Sequence, residues 1–153
     1  MQIVEINDPK VIARLNEPVQ NLHHSLYPSI FKPYHYKNVL AYYEKVINFD
    51  NHHFVVCKED DEEIGYIWYE EIIKPDTAFS FSSHYIYIHQ ISVNENKRGI
   101  GVGKLLFNSV LDLAKEKSIK RIGLDYWVKN GMAKSIYAKM GFEIEREVTY
   151  LNI

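Results

Sequence analysis

Cysteine is almost missing from this 153-residue chain: Cys57 stands alone. No intrachain disulfide can form, and no cysteine-based zinc site can be assembled. Long apolar runs are missing too, since no window approaches the ~18–20 residues that span a bilayer. Met1 is followed by QIVEIND, which has neither a basic start nor an apolar stretch of the kind that directs secretion. A cytoplasmic protein with no membrane partner is the expectation. Charge of one sign is also lacking. Eighteen Lys and Arg against twenty Asp and Glu leave a formal net charge of −2, so the composition does not steer the protein towards nucleic acid. There is no low-complexity tract, internal repeat or linker-like stretch. That leaves a single domain over 1–153, long enough to bury a sizeable core.

What is present has a readable order. Residues 2–6 suit a short strand, and Asp8-Pro9 resembles an N-cap followed by proline in a first helical turn. Val11, Ile12, Leu15, Val19, Leu22 and Leu26 recur at helical spacing, with Pro18 inside the pattern predicting a kink or a break. A second helix is expected over about 36–48. HFVVCKE from 53 and IGYIWYEEII from 64 read as paired strands around the acidic turn 59–63, which is a solvated hairpin. HYIYIHQISV at 84–93 is a further strand. Val102, Leu105, Leu106, Val110, Leu113 and Ala114 then give a helix with a broad apolar stripe. A strand at 122–128 follows, then a helix begun by Asn130 and ended by Gly141 as a C′ residue, and a last strand from Phe142 to Leu151. The fold class is α/β with a mixed, mostly antiparallel central sheet, one βαβ crossover over 84–126 and flanking helices.

The stretch HQISVNENKRGIGVGK, His89–Lys104, carries the chemistry. Glycines at 99, 101 and 103 leave backbone N–H groups uncovered at a helix start, where the dipole favours an anion. Each would weaken a helix by roughly 1 kcal/mol relative to alanine, so three exceed what a tight turn needs. A Walker A loop is excluded, because Lys104 is followed by Leu105 rather than Ser or Thr. A dinucleotide fingerprint fails at its third glycine, where Lys104 stands, although Asp125 lies near the right distance downstream.

The remaining pattern is R-x-x-G-x-G at Arg98, Gly101 and Gly103, preceded by I-x-x-I-x-V at Ile88, Ile91 and Val93. It is followed by N-x-x-A-x-x-x-Y-x-x-x-G-F at Asn130, Ala133, Tyr137, Gly141 and Phe142. Together these resemble the GNAT superfamily of acetyl-CoA-dependent N-acetyltransferases, over essentially the whole chain. The resemblance implies direct attack of an amine on the thioester of acetyl-CoA in a ternary complex, with no metal. It implies main-chain pairing of Ile91 and Val93 with the pantetheine arm. It also implies pyrophosphate binding by Arg98, Gly99, Gly101, Val102, Gly103 and Lys104, with Asn130 as a further contact. Tyr137 matches the tyrosine that protonates the departing thiolate; its spacing equally allows a core residue. His89 takes the place where many relatives carry an acidic general base. A histidine there can accept a proton or simply be packed in a strand.

The other histidines read blandly, since the adjacent pairs His23-His24 and His52-His53 point apart and do not converge on a metal. LHHSLYPSIFKPYHYKNVLAYY is expected to roof the acceptor site and resembles an uncharacterised GNAT subgroup through His23, Pro28, Phe31 and Lys32. Its tyrosines 27, 34, 36, 42 and 43 suit either a pocket for a cationic amine or packing between helices and sheet. The expected partner is an amine acceptor, small molecule or peptide, with assembly into a homodimer left open. A catalytically silent acyl-CoA-binding or sensory module on the same fold is the alternative.

Overall fold

Strands buried on both faces read as continuous apolar runs rather than alternating ones, and FVVC and YIWY are such runs. In the computed structural model, which describes residues 1–153, they lie at the centre of a five-stranded sheet. The strands are β1 (Gln2–Glu5), β2 (His52–Glu59), β3 (Glu62–Lys74), β4 (Ser83–Val93) and β5 (Ile122–Leu124), in that spatial order. The first four pair antiparallel, and β5 lies parallel to β4. Helix α4 (Val102–Glu116) makes the one crossover.

Alternation along the strands feeds two cores. Val55, Cys57, Ile67, Tyr69, Ile86 and Ile88 pack with Val102, Leu106, Phe107, Val110 and Ala114 of α4. On the opposite face, Phe54, Val56, Tyr66 and Trp68 pack with α1 (Pro9–Leu15) and α3 (Tyr36–Val46) through Ile12, Leu15, Tyr43 and Val46. Each fully buried large side chain contributes about 1.5–3 kcal/mol.

The break expected at Pro18 falls at Asn16, between α1 and α2 (Glu17–Leu26). A proline ring clashes with the carbonyl four residues earlier, so it sits comfortably only in a first turn. Two polar groups released there are used at once. Ser92 Oγ donates to the Leu15 carbonyl at 2.8 Å, tying β4 to the end of α1. Asn16 is 3% exposed and its amide nitrogen lies 3.0 Å from Gln90 Oε1, and 3.2 Å from each of the Tyr43 and Tyr66 hydroxyls. Both hydroxyls also donate to Gln90 Oε1, at 2.8 and 2.5 Å. Burial pushes the Tyr66 phenol up to about 12 and Tyr43 well above its ordinary range, so both stay protonated as donors. Asn16→Ala leaves those hydroxyls their bonds to Gln90 but removes the shared donor. A loss of about 2 kcal/mol in urea unfolding is expected, and an unchanged midpoint would contradict the network's role.

The sequence reading needs correction at the C-terminal end. The strand expected over 122–128 stops at Leu124, and the strand expected from Phe142 to Leu151 does not form. Phe142 packs on Phe107 and Tyr137, but every residue from Glu143 onward is exposed. β-propensity expresses itself only beside a partner edge, and β5 offers three residues. An ion pair between Arg121 and Glu145 is the contact that ties this tail beside β5.

Candidate functional site

β4 and β5 pair only from Ile86 to Ile88 against Ile122 to Leu124. Beyond Ile88 the two chains separate, so the β4 edge carrying Ile91 and Val93 has no strand beside it. Their side chains pack onto the α4-side core, which leaves the main chain as the part of each that can pair with a ligand.

The glycine loop closes one end of this opening. Gly99 and Gly101 have φ of +81° and +95°, a conformation that other residues adopt only with strain. A Cβ at either would meet nothing within 4 Å, so the loop's outer side is open. The first bond of α4 is Leu105 N–H to the Gly101 carbonyl, at 3.0 Å. The N–H groups of Val102, Gly103 and Lys104 therefore have no helical partner, and they suit a pyrophosphate. Val102 itself is core, 1% exposed, and can offer only that backbone group. Lys104 and Arg98 are exposed; Arg98 Nε bonds the Val93 carbonyl at 3.3 Å, which holds it across the end of β4. Lys97, by contrast, is taken up by Glu59 at 2.5 Å.

His89 sits at a bulge. The β3–β4 register shifts between Trp68 and Tyr69, so that Trp68 faces Gln90 while Tyr69 faces Ile88. An extra residue of this kind re-aims side chains. His89 and Gln90 accordingly both reach residues of the α1/α3-side core: His89 stacks on Trp68 at 4.3 Å, and Gln90 joins the tyrosine network. His89 Nε2 lies 2.9 Å from Glu70 Oε2, and its ring also stacks against His52 at 5.4 Å and meets the Tyr87 ring edge-on at 5.2 Å.

From Tyr87 the row of polar groups continues to the other wall. Tyr87 Oη donates to Asp125 Oδ2 at 2.5 Å, its ring lying over Gly123, where a Cβ would come within 3.4 Å of it. Tyr137, on α5 (Gly131–Lys139), is half-buried beside Tyr126 and Phe142. Burial, and then the negative charge of Asp125, push its phenol above the ordinary value, so it is protonated at neutral pH. His89 and Tyr137 thus stand towards opposite ends of a row that runs through Tyr87 and Asp125. Asn130 caps α5, accepting the Ala133 N–H at 3.1 Å.

The segment after α2 arches over to meet the same wall. His23 stacks on Phe31 at 4.8 Å, and Phe31 and Tyr27 both contact Trp127 at 4.9 and 4.8 Å. Lys129 N–H donates to Tyr27 Oη at 3.0 Å, while its ammonium lies 4.7 Å from the Tyr27 ring. Burial lowers the His23 pKa, with Asp125 opposing. The tyrosine-rich segment therefore divides. Tyr27 builds the arch, Tyr43 is core, and Tyr42 is 52% exposed.

The family model for the GNAT acetyltransferases matches residues 16–142. The chain belongs to the GNAT acetyltransferase family. The chain is 29% identical over 126 residues to an uncharacterized N-acetyltransferase of Methanocaldococcus jannaschii, covering 77% of this chain and 52% of that one. It is also 29% identical over 105 residues to a putative ribosomal protein bS18-alanine N-acetyltransferase of Bacillus subtilis, covering 67% of this chain and 62% of that one. The chain thus spans between half and two thirds of the length of these relatives. A crystallised tetramutant protein of Bacillus halodurans superposes with a TM-score of 0.91 over the full length of both chains at 22% identity, so the two share a fold. The activity that goes with the family is acyl transfer. No helix is long and apolar enough to cross a membrane.

Glu70 and Trp127 carry no mark in the sequence, and Asp125 stands out there only beside the failed dinucleotide fingerprint. His52 and His53 do diverge, with His53 bonding Glu5 on the far side of the strand. The missed signal was a histidine and an acid at facing positions of neighbouring strands, His52 opposite Glu70.

Proposed function

We propose that this protein is an acetyl-CoA-dependent N-acetyltransferase acting on a primary amine by direct attack in a ternary complex. The observation that carries the reading is the junction of an open, left-handed glycine loop with a β4 edge left unpaired beyond Ile88. That arrangement offers N–H groups to a pyrophosphate and an extended main chain to the pantetheine arm that follows it. Acetyl-CoA supplies an activated thioester carbonyl. In the proposed reaction the amine nitrogen bonds to that carbon as the carbon–sulfur bond breaks. His89 takes the proton from the amine, and Tyr137 gives one to the leaving sulfur. A backbone N–H of β4 near the bulge would stabilise the charge that develops on the carbonyl oxygen.

For the acceptor, the arch of Tyr27, Phe31 and Trp127 beside Asp125 favours a cationic amine, which must lose a proton before attack. The name of the Bacillus subtilis relative adds a protein N-terminus to the classes worth testing. Acetyl-CoA is expected to raise the melting temperature, and a panel of polyamines, aminoglycosides, amino acids and N-terminal peptides is expected to release free thiol with at least one member. Stabilisation by acetyl-CoA without thiol release from any amine would favour the silent acyl-CoA-binding module. Stabilisation by ATP or NAD but not by CoA would overturn both.

A further inference from the structure

Glu70 is held between two histidines on three adjacent strands. Its Oε2 lies 2.9 Å from His89 Nε2 and 3.8 Å from His52 Nε2, and its Oε1 accepts from Asn51 Nδ2 at 2.7 Å. The protons in this row can be assigned from valence alone. An indole N–H only donates, and Trp68 Nε1 lies 3.0 Å from His52 Nδ1. His52 Nδ1 therefore keeps its lone pair, and the ring's one proton is on Nε2, facing Glu70. Burial lowers the His52 pKa, Glu70 opposing and His89 adding to the effect, which keeps that ring neutral. An ionised carboxylate only accepts, so His89 Nε2 also carries its proton towards Glu70. The nitrogen left basic on His89 is Nδ1, which makes no hydrogen bond within the protein.

The same atoms could suggest a metal, since one ligand atom from each of His52, Glu70 and His89 falls within 4.8 Å of the others. The indole decides against it. A metal-bound histidine donates its second ring N–H outward, whereas His52 Nδ1 accepts from Trp68. His52 could ligate through Nε2 only as an imidazolate. The donor set suits a proton rather than a divalent cation.

We propose that Glu70 is the positioning carboxylate of a histidine–carboxylate pair: it fixes His89 in the tautomer with Nδ1 basic and stabilises the imidazolium formed when the amine attacks. Asn51 orients Glu70 from the other side, and His52, locked by Trp68, walls the pair off from β2. Glu70 takes no proton in the step; the proton taken from the amine rests on His89 Nδ1 and then leaves to solvent. The inference rests on His89 being the general base of the proposed reaction. The groups facing His89 are Glu70 from β3, His52 from β2 and the Tyr87 phenol from its own strand. Asp125 lies beyond Tyr87. Of these, Glu70 is the one charge in direct contact.

The test compares wild type with Glu70→Gln, close in shape, and Glu70→Ala. Amine-dependent thiol release should show kcat reduced about 10- to 100-fold in both, with KM for acetyl-CoA within about twofold. Nitrogen-15 NMR of the histidine rings should find neutral His89 protonated at Nε2 in wild type, with that preference weakened in Glu70→Ala. Unchanged kcat in both variants would overturn the proposal, as would a wild-type His89 protonated at Nδ1. Zinc chloride that raises the wild-type melting temperature but not that of Glu70→Ala would replace it with a metal site. If no amine is acetylated, the functional reading fails while the NMR tautomer still decides the pairing.

Discussion

Replacing His89 with alanine is expected to lower kcat about 100- to 1,000-fold while leaving acetyl-CoA affinity within about twofold. The split follows from where the contacts are. The donor's proposed grip is the glycine loop and the free edge of β4, made from backbone groups that the substitution leaves in place. His89 contributes only its ring, on the α1/α3 face, stacked on Trp68 and hydrogen-bonded to Glu70. An amine nitrogen that keeps its proton cannot attack, so the deficit should fall on turnover and should lessen as pH rises and solvent takes over deprotonation. Because alanine also removes a packed ring, His89→Gln serves as the control, filling most of the space without a base. Steady-state kinetics over a pH series, with acetyl-CoA binding measured by calorimetry, check the expectation. Wild-type turnover in either variant would rule His89 out as the base.

The shape of the glycine loop was legible because it depends on residues with few physical alternatives. Gly99 and Gly101 occupy backbone conformations that other residues enter with strain, so their spacing in the sequence maps directly onto a loop shape. Gly141, with φ of +90° at the end of α5, was readable for the same reason. Asp8 and Asn130 are short-range signals as well, each capping its helix through a side-chain oxygen.

The pairing of His89 with Glu70 was not legible, since it depends on register. The bulge at His89 turns two successive side chains to one face, which a period of two forbids, and nothing in IYIHQIS marks where the extra residue falls. Glu70 reads as one of two adjacent acids within an apolar strand until β2 and β3 are aligned and His52 is found opposite it. The tail failed differently. Ile144, Val148 and Tyr150 alternate as a strand should, but they are 63%, 66% and 84% exposed, because alternation states a preference and does not supply an edge. The motif His23, Pro28, Phe31 gained a physical content the spacing could not show. Its turn folds Phe31 back onto His23 and sets Phe31 edge-on against Trp127.

Gly65→Ala is expected to destabilise the protein by about 3 kcal/mol, lowering the melting temperature by roughly 6–12 °C, and to weaken acetyl-CoA binding as well. Gly65 lies in the middle of the sheet, opposite Cys57 on one side and Val93 on the other. A Cβ there would stand 2.7 Å from the Ser92 carbonyl oxygen, 3.3 Å from the Val93 Cα and 3.3 Å from Val102 Cγ1. Two of those three are backbone and cannot rotate away, so β4 must move at Ser92 and Val93, or Val102 must shift at the head of α4. Ser92 is also the residue that fastens β4 to the end of α1. The strain is therefore delivered to the three points that shape the proposed donor site: the free strand edge, the anchor behind it and the first residue of the loop's helix. Gly131→Ala is the matched control. A Cβ at Gly131 meets nothing within 4 Å and its φ is not in the left-handed region, so the change should stay within about 0.5 kcal/mol of wild type. Equal effects of the two substitutions would refute a steric origin. A stable Gly65→Ala protein with undiminished acetyl-CoA affinity would show that β4 can yield there without disturbing the site.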